Sequence, residues 1–208
     1  MNKTKIILLA AMAFASAAAS FAQMSPAWAA AIATPISLAR ADAMDAIAAV
    51  DGSSRQKNEA HEVRVRATYR TAGKAAALAV PVPTKTTATQ AFVEYYVADE
   101  ESDYATAEAA CRTILTNPQV VSLRSWITRF TAVALKRGSD RNALLISLAG
   151  MSGNAADAKA IWRGLDRSRM TKEQIIDVID KLTIVTDVTP ETSVFLSTIQ
   201  STRTLLLK

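Results

Sequence analysis

Cysteine and histidine are almost missing: 208 residues contain one of each, Cys111 and His61. That shortage excludes several chemistries at once. A single cysteine forms no internal disulfide, so stability must come from packing even in an oxidising compartment. One Cys and one His cannot build a structural zinc site, and there is no second histidine for a catalytic one. A Ser-His-Asp triad would have to use His61, which sits in the charged run "RQKNEAHE" and reads as exposed or locally paired. No metal, cofactor or catalytic residue is therefore expected. Excess charge is missing too. Without Lys3 and Lys5 there are 22 basic and 19 acidic residues, a net charge of +3. That is too mild a balance to imply nucleic acid or a membrane surface.

Long apolar runs are scarce as well. Lys3 and Lys5 precede an apolar core from Ile6 to about Ala15, and Ser20-Phe21-Ala22 sets small residues before a cut after Ala22. The core is shorter than the ~20 apolar residues of a membrane span, and no cysteine follows the cut to carry a lipid. Residues 1–22 are expected to be a signal peptide. The remainder is expected to be exported, periplasmic or extracellular, with no stable membrane anchor.

Six glycines, six prolines and 50% hydrophobic residues with many alanines favour helices. Residues 23–80 read as an Ala-rich helical segment, 81–90 ("PVPTKTTATQ") as a Pro- and Thr-rich linker, and 91–208 as a domain of helical hairpins. Ser25-Pro26 and Thr34-Pro35 each offer a cap followed by proline at the first helical position. Ile32, Ile36, Ala39, Ala43, Ile47 and Val50 keep helical spacing, with Pro35 expected to kink or split the segment. Residues 57–80 are ambiguous. "EVRVRATYR" alternates like a strand, while its flanks look helical, and helix is favoured.

Later signals are sharper. Asn117-Pro118 opens a stripe of Leu123, Trp126, Ile127, Phe130, Val133 and Ala134 ending at Gly138. Ser139, Asn154, Thr171 (with Gln174 at the capping-box position) and Thr189-Pro190 mark further starts. Pro118, Asn154 and Pro190 are 36 residues apart, and Trp126 and Trp162 each fall eight after such a start. The expected class is all-α: antiparallel helical hairpins, as either a short helical-repeat array (an α-α superhelix) or an irregular bundle.

Tyr104, Ala107, Cys111 and Ile114 lie on one helical stripe, so Cys111 reads as a core residue. Asp103-Tyr104, Ala107, Ile114-Leu115 and Pro118, after a first helix "QAFVEYYVADEES", resemble a tetratricopeptide repeat over residues 88–118. The resemblance implies a helical hairpin whose surface takes a peptide. Charge is uneven: Arg55, Lys57, Arg64, Arg66, Arg70 and Lys74 crowd residues 55–74, and six acids crowd 94–108. These runs could be solvated, could face each other, or could offer a basic patch. The expected function is binding of a protein partner, or self-association. The candidate contacts are Tyr95, Tyr96, Trp126, Trp162, Arg64, Arg66 and Arg70, since aromatics and arginine dominate hot spots. A carboxylate-dependent hydrolase is a further possibility, with Asp177 and Asp180 on one helical face.

Overall fold

A computed structural model describes residues 25–82, 87–117 and 123–208. The expected signal peptide and Pro118 lie outside the described residues. All regular elements among the described residues are helical: Pro26–Ala33 (α1), Leu38–Asp51 (α2), Ser54–Leu78 (α3), Thr87–Glu100 (α4) and Tyr104–Leu115 (α5) come first. Leu123–Arg137 (α6), Asn142–Ala149 (α7), Ala155–Gly164 (α8), Lys172–Leu182 (α9) and Pro190–Leu206 (α10) follow, with a 3-10 turn at Arg167–Arg169. The all-α expectation holds.

The chain divides into two compact units between Val63 and Arg64, inside α3. The Pro- and Thr-rich stretch is not where the division falls, and its last four residues, 87–90, are already helix. In the first unit, Ser25 caps α1 by accepting from the Trp28 amide, with Pro26 at the start of the helix. Thr34 does not open the next helix. It closes α1, its hydroxyl donating to Ala31 O at 2.8 Å, and Ser37 caps α2 instead. This break resets the helical phase. The core of the first unit is therefore Trp28, Ala31, Ala41, Met44 and Ala48 with Ala60 and Val63. Ala39 and Ala43 face solvent and Val50 is 79% exposed, while Ile32, Ile36 and Ile47 pack only partly. A stripe drawn across Pro35 assumed one continuous helix.

The alternation of "EVRVRATYR" has a helical cause. Val63 belongs to the first core and Val65, with Tyr69 beside it, to the second. Gly73, at φ 81° and ψ −178°, interrupts the regular geometry of α3, a conformation open to glycine and essentially no other residue.

In the second unit α4 and α5 form a hairpin across Glu101–Asp103, and short connections make such neighbours antiparallel. The turn closes with Asp103 N donating to Ala98 O and Ser102 N to Asp99 O, which sets Ser102 at φ 57°. Asp103 then caps α5. α6 packs on α5, α8 on α6, and α7, α9 and α10 around α8. The expected α6 stripe is inward, with Ile127 and Phe130 fully buried. Asn154, Thr171 with Gln174, and Thr189 all cap as expected. Ser139 does not: α7 starts at Asn142 without a side-chain cap, and the Ser139 hydroxyl goes to Glu108. Gly164 is required by proximity, because a Cβ there would lie 2.6 Å from Thr131 Oγ1 and 2.9 Å from Leu145 Cδ1.

Candidate functional site

Five of the seven candidate contact residues come together along α3, α4 and α6. Trp126 stacks on Phe92 at 5.0 Å, and the Tyr95 ring meets it edge-on at 5.1 Å. The Arg129 guanidinium lies 5.0–5.5 Å from the Trp126, Tyr95 and Tyr96 rings. Tyr95 and Tyr96 are 4% exposed and Trp126 6%, so these side chains fill the core and offer little to a partner. Their helix positions dictate this: a stripe that carries Ile127 and Phe130 inward carries Trp126 with it. Burial, and then the nearby Asp99 charge, push the Tyr95 phenol up to about 12.

Arg66 links the aromatic cluster to the acids. Its guanidinium lies 5.4 Å from the Tyr96 ring and bonds Asp99 and Glu100, both at 2.9 Å. Arg70 makes two bonds to Glu100, and Lys74 reaches Glu101 at 2.7 Å. Part of each charge run therefore faces the other, Arg66, Arg70 and Lys74 against Asp99, Glu100 and Glu101, while Glu94 is exposed and Asp103 caps α5. Burial works against the Glu100 carboxylate, yet bonds from Arg70 and Arg66 hold it below the ordinary range. Arg64 is half-buried and has contacts of its own. Trp162 lies elsewhere, half-buried on α8 with the Arg167 guanidinium 4.7 Å from its ring.

Cys111 is fully buried, and burial pushes its thiol up to about 12, so no thiolate nucleophile forms there at neutral pH. Glu108 is 3% exposed and receives Ser139 Oγ at 2.6 Å, Arg112 at 2.8 and 2.9 Å, and Arg137 at 2.8 Å. Burial raises its pKa, and these four bonds more than reverse the effect. Among the described residues, Glu100, Asp103, Glu108, Asp166 and Glu173 are all held below the ordinary carboxylate range. A general acid needs the opposite shift. Asp177 bonds Lys181 and Asp180 pairs with Arg203, and both acids are about half exposed.

A concave feature lies elsewhere in the second unit. Leu78, Val80, Pro81 and Val82, at and beyond the end of α3, line a groove of about 510 Å³ with Gln90, Val93 and Glu94 of α4. Val93 is buried, while Gln90 and Glu94, one turn apart, are exposed on the polar rim. The walls are aliphatic, and Leu78 is 45% exposed. Sequence reasoning passed over this site by treating residues 81–90 as a linker. The usable signal was Val82, an aliphatic residue where a solvated linker would carry a polar one, close after Val80 at the end of the preceding segment. No family model, curated protein or solved structure matches the chain.

Proposed function

We propose that this is an exported, non-enzymatic helical protein that binds another protein, as an adaptor or envelope assembly factor. The observation that carries the reading is the aliphatic groove between the end of α3 and α4. Its size and lining suit one short apolar segment, and pockets of this volume bind mainly through such walls. Glu94 and Gln90 on the rim favour a segment flanked by a basic residue. The downward-shifted carboxylates and the buried thiol support binding over catalysis. The leader-like residues 1–22 favour export, and the resemblance of the sequence of residues 88–118 to a tetratricopeptide repeat favours an adaptor role.

The test is site-specific crosslinking in the host. A photo-crosslinking amino acid at Gln90 should trap one partner protein, and Leu78→Glu should abolish the adduct while far-UV circular dichroism stays unchanged. Adducts that survive Leu78→Glu, or no adduct at all, would overturn the groove. Intact mass of the exported species should show a chain beginning at Gln23, and an unprocessed chain retained in the cytoplasm would overturn export.

A further inference from the structure

Tyr104 opens α5 directly after the turn at Glu101–Asp103, its ring packed on the second core and its hydroxyl bonded at an exposed position. Two side chains from different elements serve that oxygen. Lys136, in the last turn of α6, donates to it at 3.4 Å, with Nζ 4.5 Å from the centre of the ring. Ser102 supplies its hydroxyl from the turn. Its backbone sits at φ 57°, a conformation that favours glycine, and the serine brings a hydroxyl that glycine would lack. Ser102 first, and then Lys136, favour the ionised phenol and hold Tyr104 below the ordinary tyrosine value. The Asp99 charge opposes them, but Asp99 is itself bonded by Arg66 at 2.9 Å. Glu101 is taken by Lys74, and Asp103 by the amide and hydroxyl of Thr106. Lys136 is held by no carboxylate among the described residues, so its charge acts on the phenol. Of the four tyrosines in the chain, Tyr95 and Tyr96 are 4% exposed and Tyr69 packs on the second core without such a pair of donors at its hydroxyl.

We propose that Tyr104 is a covalent modification site, a nucleophilic phenol that takes the acyl group of an uncharged activated ester. The phenol first gives its proton to water. Its oxygen then attacks the ester carbonyl carbon, the bond from that carbon to the leaving oxygen breaks, and the leaving group departs as an anion. Tyr104 is left as an aryl ester. Lys136 stays an ammonium throughout and lies beside the charge that develops on the carbonyl oxygen. As an ammonium it cannot activate water against the new ester, so the adduct accumulates and no turnover follows. The acids at this turn, Asp99, Glu101 and Asp103, select an uncharged donor by repelling an anionic one. The site does not depend on the groove between α3 and α4.

The test uses p-nitrophenyl acetate on the purified protein. At neutral pH it should release p-nitrophenolate in a burst of about one equivalent per chain, and peptide mass mapping should place the acetyl group on Tyr104. Tyr104→Phe keeps the ring and its packing, and should abolish the burst. Lys136→Met keeps an unbranched helix former at an exposed position. It should slow labelling several-fold at neutral pH and move the pH profile upward, the two proteins converging once the phenol is ionised in both. Ser102→Gly suits the positive φ better than serine. It should therefore hold or raise the denaturation midpoint while slowing labelling, a combination that a merely structural serine would not give. Acetyl groups spread over the lysines, with Tyr104 no faster than Tyr69, would overturn the proposal. So would a Lys136→Met or Ser102→Gly protein that labels at the wild-type rate with an unchanged pH profile.

Discussion

Glu108 is the fully inward-turned acid among the described residues, and its environment is built for the ionised form. Four hydrogen bonds reach its two oxygens from Ser139, Arg112 and Arg137, which ties α5 to the turn before α7. Glu108→Gln keeps the shape but sets an amide among donors. The cost should be about 1–3 kcal/mol at neutral pH, moderated because both arginines can turn to water. The pH dependence has a definite sign. A carboxyl whose folded pKa is depressed stabilises fully above its unfolded value near 4.5, and that contribution fades as the pH falls through the folded value. Urea midpoints of wild type and Glu108→Gln should therefore differ at about pH 7, and the gap should close as the pH falls below 4.5 and through the depressed folded value. A gap independent of pH would mean that packing, not charge, is what the glutamate supplies. Cys111, its neighbour on α5, is the contrasting case, an inert packing residue as its stripe position indicated.

At the scale of elements, ion pairs of very different quality join α3 to the α4 end of the α4–α5 hairpin. Arg66 is 12% exposed and Glu100 likewise, whereas Lys74 is 56% exposed on its bond to Glu101. Desolvated pairs with several hydrogen bonds matter, and exposed lysine pairs contribute little. Arg66→Ala should cost about 1–3 kcal/mol, since it also removes the contact with the Tyr96 ring. Lys74→Ala should leave the denaturation midpoint unchanged within error. Equal losses would show that the pairs act as one network. The helices themselves were legible because caps and stripes are local signals: Asn154, Thr171 and Thr189 needed no tertiary information. Ser139 and Thr34 were misread for a shared reason. A hydroxyl before a helix-like run has several acceptors, and Glu108 or Ala31 O won by proximity that sequence does not record. The groove was less legible still, because its walls come from two segments and one of them looked like a linker.

For the whole molecule, the two units have separate cores, one around Trp28 and Met44 and the other around Phe130, Ile127 and Leu145. The division falls inside α3, which supplies Ala60 and Val63 to one core and Val65 and Ala77 to the other. Helix continuity hides a domain boundary that composition would otherwise mark. Separate cores make separable responses. Met44→Ala and Phe130→Ala remove side chains that are 1% and 0% exposed, and each should cost about 2–5 kcal/mol by transfer and cavity terms together. Amide exchange read by mass spectrometry should localise the two losses. Met44→Ala should speed exchange in α1, α2 and the start of α3 while leaving α5, α6 and α8 protected. Phe130→Ala should do the reverse, because local opening follows the contacts that close each unit. If Met44→Ala instead loosened α6 and α8 to the same degree, the two cores would be unfolding as one cooperative body. The shared helix would then transmit stability as well as connect the units.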